Sequence, residues 1–307
     1  MEIYNEINKN ENIIIALGFF DGIHKGHQKI ISTLVAQSKI LGVPCAVVSF
    51  SDNPANYFSN ENIPNISSFK DKQAILESLG VDYLYELDFE QYKDLSAIEY
   101  LKDVLIANFK PKMIIAGFNH TFGKDRLGNP QLLKEYSDKF GYECVITPEQ
   151  KLSDETEISS SIIRKKIQTG QLDEVKALLG RIFYVRNSVI KGDKLATTLG
   201  YPTANLIWPN SIVKLPYGVY RGFVQVDEQL LPALISWSNK PTLSDGKSEI
   251  IEAHIYNFDK NLYGKIIKVM FEKKMRDVEN FGNIRVLKTQ LQKDYNAFEK
   301  WAKLIKG

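Results

Sequence analysis

Two hydrophobic rhythms divide the chain. In its first half, short apolar runs alternate with segments of helical period. Ile13 to Phe19 is dense in β-branched and aromatic residues, and Gln28 to Lys39 sets Ile30, Ile31, Leu34 and Val35 at helical spacing. The alternation returns. Ala46 to Phe50, Tyr83 to Leu87, Met113 to Ala116 and Glu143 to Thr147 read as strands, and Lys70 to Leu79, Ala97 to Phe109 and Leu132 to Phe140 as helices. Strands interleaved with helices predict βαβ units around a parallel sheet, whose ligands bind at the carboxyl ends of the strands. Two more helices are expected over Glu157 to Gln168 and Leu172 to Leu179, with Gly170 and Gly180 suited to close them.

From Arg181 the texture is that of β structure. Ile182 to Ile190, Tyr217 to Val226, Leu230 to Trp237, Ile250 to Tyr256 and Lys265 to Phe271 are β-rich and parted by Gly, Pro, Asn or Asp, while Ile284 to Leu304 is an amphipathic helix. The fold class is therefore α/β plus β. A Rossmann-like domain with a parallel sheet is expected over residues 1–180, and a small antiparallel β-barrel with a terminal helix over 181–307.

A chain of 307 residues suits two cores of this kind. Its 39 Lys and Arg against 37 Asp and Glu leave a net charge of +2, too little for a nucleic-acid-coating surface, so any anion site must be local. The apolar stretch Ile13 to Phe20 is far short of the roughly 18–20 residues of a membrane helix, and the start MEIYNEINKNEN lacks the pattern of a secretory signal. A cytoplasmic protein without membrane or nucleic-acid partners is expected, its oligomeric state left open. Cys45 and Cys144 stand singly in apolar surroundings and read as reduced, buried thiols.

The candidate chemistry starts where the first strand gives way to the first helix, at FFDGIHKGHQK, Phe19 to Lys29. A glycine-containing loop entering a helix amino terminus brings backbone N–H groups and the positive end of the helix dipole onto an anion, and phosphate is the natural guest. With a helix starting near Lys25, His24 and His27 point to one side as donors to phosphate oxygens, and Gly26 lets the backbone approach closely. A second stretch, ISSSIIR from Ile158 to Arg164, offers serine hydroxyls as caps and donors and an arginine one turn along. By itself it equally suits a capping box beside a surface arginine. In LGYPTANL, Leu199 to Leu206, Pro202 fixes the backbone, and Thr203 and Asn205 set hard oxygen ligands two apart, as a Mg²⁺ on nucleotide phosphate would want; a plain turn is the other reading.

These stretches carry family resemblances. Gly18, Phe20, Asp21, Gly22, His24, Gly26 and His27 fit the G-x-F-D-G-x-H-x-G-H signature of the nucleotidyltransferase superfamily, and Ile158 to Arg164 resembles its I-S-S-T-x-I-R signature with serine for threonine. The resemblance implies that His24 and His27 stabilise the α-phosphate as pyrophosphate leaves, that Gly18, Phe20, Asp21, Gly22, Gly26, Ser160 and Ser161 bind nucleotide, and that Arg164 reaches the β- and γ-phosphates. Gly200, Pro202, Thr203, Ala204 and Asn205 resemble the P-T-A-N motif of riboflavin kinases, and Glu252 in IIEAHI resembles that family's base for the terminal ribityl hydroxyl. Pro241-Thr242, Tyr263-Gly264 and Arg276 match further family positions. By this resemblance Gly192, Gly200 and Pro202 bind nucleotide, Thr203 and Asn205 the metal, and Asn119 and Arg276 the flavin.

Across nearly its entire length the chain resembles the bifunctional riboflavin kinase and FAD synthetase family of bacteria. That implies riboflavin plus ATP giving FMN plus ADP in the second domain, then FMN plus ATP giving FAD plus pyrophosphate in the first, both with Mg²⁺. Some positions depart from the pattern. FSDNP, Phe50 to Pro54, stands for F-D-P-H-P; Asn119 and His120 in GFNHTFG replace aspartate and phenylalanine; and Asn187, Ala196 and Ser238 stand where glycine is usual. These departures keep two other readings open, an FMN adenylyltransferase without kinase activity and a flavin-binding regulator on a retired kinase scaffold. His120 reads equally as a ligand contact or a loop-packing residue.

Overall fold

A computed structural model describes residues 1–7, 12–58, 62–152, 155–192, 201–241 and 247–305. The chain divides into two compact units, Met1–Ile162 and Ile163–Gly307.

The first unit is built on six parallel strands, β1 (Glu2–Tyr4), β2 (Ile14–Leu17), β3 (Cys45–Phe50), β4 (Tyr83–Leu87), β5 (Met113–Gly117) and β6 (Glu143–Thr147), in the order β1-β4-β3-β2-β5-β6. Helix α1 (Lys25–Leu41) follows β2 and α2 (Phe69–Ser78) precedes β4. Helix α3 runs through Ala97–Glu99, the π-type turns of Tyr100–Ile106 and Ala107–Phe109; the helix expected over Leu132 to Phe140 is two pieces, α4 (Pro130–Glu135) and α5 (Ser137–Phe140). Both faces of the sheet are covered, so its central strands β2 and β5 are buried and without polar side chains at every position rather than at alternate ones. Ile15, Leu17, Val48 and Ile114 pack on one side with α3, and Ile14, Ala16, Val47 and Ile115 on the other with Ile31 and Leu34 of α1. Chain progress reverses at β2: β3 pairs on one flank and β5 on the other. Ligands of open α/β sheets bind at such a switch point, and the loop from Phe19 to His24 leaves β2 there.

Helix α6 (Ser160–Gln168) starts in the first unit and crosses the division at Ile162, and α7 (Leu172–Leu179), capped by Gly180 with φ 71°, follows in the second. Six antiparallel strands follow, β7 (Phe183–Ser188), β8 (Ala204–Ile207), β9 (Gly218–Val226), β10 (Gln229–Pro241), β11 (Lys247–Ile255) and β12 (Ile266–Arg276), ordered β7-β12-β9-β10-β11-β8. A bridge between Ile190 and Asn205 joins the two outer strands and draws the sheet toward a barrel. Helix α8 (Ile284–Leu304) seats Phe298 and Ala302 against Tyr256 and Leu234.

The crossing of β9 and β12 is close at Gly222, where a Cβ would stand 1.9 Å from the Met270 carbonyl oxygen. Backbone cannot yield as a side chain can. Gly222→Ala is expected to lower the unfolding free energy by about 1–3 kcal/mol, read as a lower denaturant midpoint at unchanged slope.

Candidate functional site

In the first unit, the segment after β2 turns through three left-handed residues, Phe20 (φ 56°), Gly22 (φ 72°) and Ile23 (φ 37°), before α1 begins. For a β-branched residue such as Ile23 this conformation is strained and persists only when its surroundings fix it. They do so from several sides. The Asp21 carboxylate, 4% exposed, accepts from the N–H groups of Ile66 (2.8 Å) and Ser67 (3.4 Å). The Gly22 N–H donates to Ser67 Oγ, and Ser49 Oγ donates to the Phe19 carbonyl. Asp21 and the buried Phe20, for which the family resemblance implies nucleotide binding, thus turn inward and hold the loop. Gly18 follows β2 directly, its N–H on the Val48 carbonyl.

His24 is the N-cap of α1, its Nδ1 accepting from the His27 N–H at 3.2 Å. That bond places the proton of the neutral ring on Nε2. Lys25 and Gly26, the first two helical residues, have N–H groups without an intrahelical partner. The two imidazoles stack with centroids 3.6 Å apart and planes at 18°, and His27 Nδ1 is buried without a hydrogen-bond partner among the described residues. Burial first, and the adjacent His24 second, hold the His27 pKa well below the usual histidine range. The unfolded chain therefore binds this proton more readily, so the stability from a neutral His27 is complete above the unfolded pKa of about 6.5 and is lost as pH falls below it. The stability difference between wild type and His27→Gln is accordingly expected to change by up to about 1.4 kcal/mol per pH unit below pH 6.5, the wild type losing more; denaturant titrations at pH 5 to 8 check it.

The second serine-rich motif meets this loop. Ser160 Oγ donates to the Asp21 carbonyl at 3.0 Å, across 139 residues of sequence, and a Cβ on Gly26 would lie 3.9 Å from the Ile158 carbonyl. Ser159 caps α6 through the Ile162 N–H, Ser160 and Ser161 open the helix, and Arg164 stands one turn further along it. Asn119 is exposed just beyond β5. His120 stacks on the buried Phe122 ring, and burial pulls its pKa down to about 4, which fits loop packing. In FSDNP, Asn53 is a cap whose Oδ1 accepts from the Ala55 N–H. Beyond it the exposed Tyr57 and Phe58 gather on Phe89, with Arg126 against the Phe58 ring. Nothing in the linear pattern marked these rings, because they come from separate loops.

In the second unit, Thr203, Ser236, Ser238, Glu252, His254 and Arg276 line a pocket of about 280 Å³. Val278 and Phe281, after β12, and Leu287 and Leu291 of α8 give it an apolar wall, and Leu234 adds to its apolar surface from β10. Register explains the polar side: Glu252 of β11 lies opposite Ser236 of β10 and Asn205 of β8, so their side chains share a face. Trp237 points the other way, fully buried, with Nε1–H on the Leu215 carbonyl. It does not obstruct the pocket, and Ser238 adds only a small hydroxyl side chain. Asn187 has a structural use, since its Nδ2 donates to the Ile207 carbonyl and laces β7 to β8.

The Asn205 amide donates to the Thr203 carbonyl and faces the Thr203 hydroxyl at 3.5 Å, and Gly192 packs on it so closely that a Cβ would stand 2.4 Å from Nδ2. His254, two residues from Glu252 on the same strand face, donates from Nδ1 to the Pro202 carbonyl at 2.9 Å. Arg276 is clamped by Asp294 of α8, through Nε at 3.0 Å and Nη2 at 2.7 Å, and Asp294 also accepts from Gln290. His254 and Asp294 escape sequence reading, since each acts through a partner remote in sequence, and Gln290 acts only through Asp294 one turn along α8. Gly200, Ala196 and Thr242 lie outside the described residues. Among the described residues no group of three or more His, Cys, Asp or Glu could hold a metal, so a cation placed here would rely on neutral oxygens and on the phosphates it accompanied. The Thr203 hydroxyl and the Asn205 amide oxygen fit that need.

Residues 6–162 match the protein family described as FAD synthetase, and residues 179–302 the family described as riboflavin kinase. The bifunctional riboflavin kinase/FMN adenylyltransferase of Buchnera aphidicola subsp. Schizaphis graminum is 32% identical, over 99% of this chain and 98% of its own. That of Bacillus subtilis is 32% identical, over 92% and 90%. A crystal structure described as a macrolide-efflux protein from Streptococcus pneumoniae covers 96% of both chains at 31% identity, with a TM-score of 0.86. Among the described residues no helix of this chain is long and apolar enough to cross a membrane.

Proposed function

Because the chain belongs to the bifunctional riboflavin kinase/FMN adenylyltransferase family, we propose that it phosphorylates riboflavin in its second unit and adenylylates the resulting FMN in its first. The observation that carries the reading is the bond from Ser160 Oγ to the Asp21 carbonyl, which gathers two phosphate-type motifs at the start of α1. There His24 Nε2–H, the N–H groups of Lys25 and Gly26, and His27 face the ATP α-phosphate while the FMN phosphate attacks and pyrophosphate leaves. Ser161 and Arg164 follow on α6 as a hydroxyl and a cation for the remaining phosphates. Asp21, Phe20 and Gly22 serve this site by shaping it. Tyr57 and Phe58 offer the flat apolar surface that an isoalloxazine ring stacks on, with Asn119 as a polar contact.

In the second unit Glu252 takes the proton of the terminal ribityl hydroxyl as that oxygen attacks the ATP γ-phosphorus and ADP departs. The apolar wall receives the flavin ring, with Arg276 at its polar edge. Gly192 and Pro202 shape the nucleotide side, and Thr203 and Asn205 would hold Mg²⁺, which supplies charge neutralisation at the phosphates. Asn187 and Ser238 leave the pocket open, which favours the two-activity reading over a retired kinase. A cytoplasmic location accompanies the reading, where riboflavin, FMN and ATP are at hand. Incubation with Mg²⁺, ATP and FMN is expected to release one pyrophosphate per FAD; FAD without pyrophosphate, or neither product, would refute the adenylyl-transfer assignment.

A further inference from the structure

Beneath the loop that starts the adenylyl-transfer site lies a buried ion pair that no motif includes. Lys72 of α2 and Glu86 of β4 are 5% and 3% exposed, with Nζ 2.8 Å from Oε1. Lysine and glutamate are almost never this buried unless paired, and a buried pair stabilises a fold no better than apolar side chains of the same size. Stability alone does not account for it. The ammonium also donates to Ser49 Oγ at 3.2 Å and to the Phe50 carbonyl at 3.4 Å, and sits 5.0 Å from the centre of the Phe19 ring. Ser49 Oγ in turn donates to the Phe19 carbonyl at 3.1 Å. The chain of contacts Glu86–Lys72–Ser49–Phe19 therefore spans the carboxyl ends of β4, β3 and β2. It stops one residue before Phe20, where the strained turn into His24 begins.

We propose that Lys72 and Glu86 are positioning residues for adenylyl transfer, holding the Phe19 end of the loop so that the N–H groups and imidazoles at the start of α1 keep their aim. They touch no substrate; they act through Ser49 and Phe19. The inference rests on the proposed adenylyltransferase function. Its consequence is a separation of stability from rate. Lys72→Met alone leaves the Glu86 carboxylate buried without its cation and lowers the melting temperature. Lys72→Met with Glu86→Leu removes both charges and restores it, while the loop stays unanchored.

The test measures melting temperature, FAD formation from FMN and ATP, and FMN formation from riboflavin for wild type, K72M/E86L and Ser49→Ala. The expected result is a double variant that melts near wild type and phosphorylates riboflavin normally, yet forms FAD with a kcat lower by about tenfold or more at little-changed KM for FMN. Ser49→Ala, which breaks the chain of contacts but keeps the ion pair, is expected to show the same split, and it decides the matter if the double variant does not fold. Wild-type kcat in either folded variant would overturn the inference alone. A wild-type protein that makes no FAD from FMN would overturn the functional reading and the inference with it.

Discussion

His27→Ala is expected to reduce FAD formation from FMN and ATP by about 10²–10³-fold while leaving FMN formation from riboflavin intact, the scale on which one preorganised donor to a developing oxyanion contributes. His27 is the cleaner of the two histidines to remove. His24 also caps α1 through its Nδ1, so its loss mixes a helix-capping cost of about 1 kcal/mol with any effect on rate. His27 has no such duty, because its Nδ1 has no partner among the described residues and its ring rests on His24 and Phe20. The measurement is steady-state FAD formation, with riboflavin phosphorylation by the second unit as the control for folded protein. Loss of both activities together would show that the substitution acts through the fold.

The complementary substitution, Glu252→Gln, is expected to lower riboflavin phosphorylation by about 10²–10⁴-fold, the usual contribution of a general base, and to spare FAD formation from added FMN. Glutamine keeps the shape of the side chain on β11 opposite Ser236 and Asn205, so the pocket and its apolar wall persist and only the proton acceptor is lost. The effect should fall on kcat, with flavin binding, followed by fluorescence quenching, nearly unchanged. A Glu252→Gln variant that phosphorylates riboflavin at the wild-type rate would remove Glu252 from the chemistry.

The alternation of strands and helices and the β-rich second half were legible because each element repeats an apolar period long enough to read. Two short strands were not. Glu2–Tyr4 has three residues beside a polar tail, and Ala204–Ile207 hides in a stretch whose Pro202 and Asn205 read as a turn. The phosphate motifs were legible as residue strings, yet not the direction of each side chain within them. Asp21 lies in a signature and points inward, because the left-handed turn at Phe20 and Gly22 aims its carboxylate at the Ile66 and Ser67 amides. Lys72 on a helix and Asp294 on an amphipathic helix look like solvated charges in sequence. Their partners, the buried Glu86 and the half-buried Arg276, come from strands that only the fold brings near.

The most direct measurement of the central claim, two separate flavin sites in one chain, is chromatographic separation of flavins after incubating His27→Ala, Glu252→Gln and an equimolar mixture of the two with riboflavin, ATP and Mg²⁺. The account predicts that His27→Ala stops at FMN, that Glu252→Gln leaves riboflavin unchanged, and that the mixture makes FAD. FAD from either variant alone, or a mixture that yields none, would contradict it.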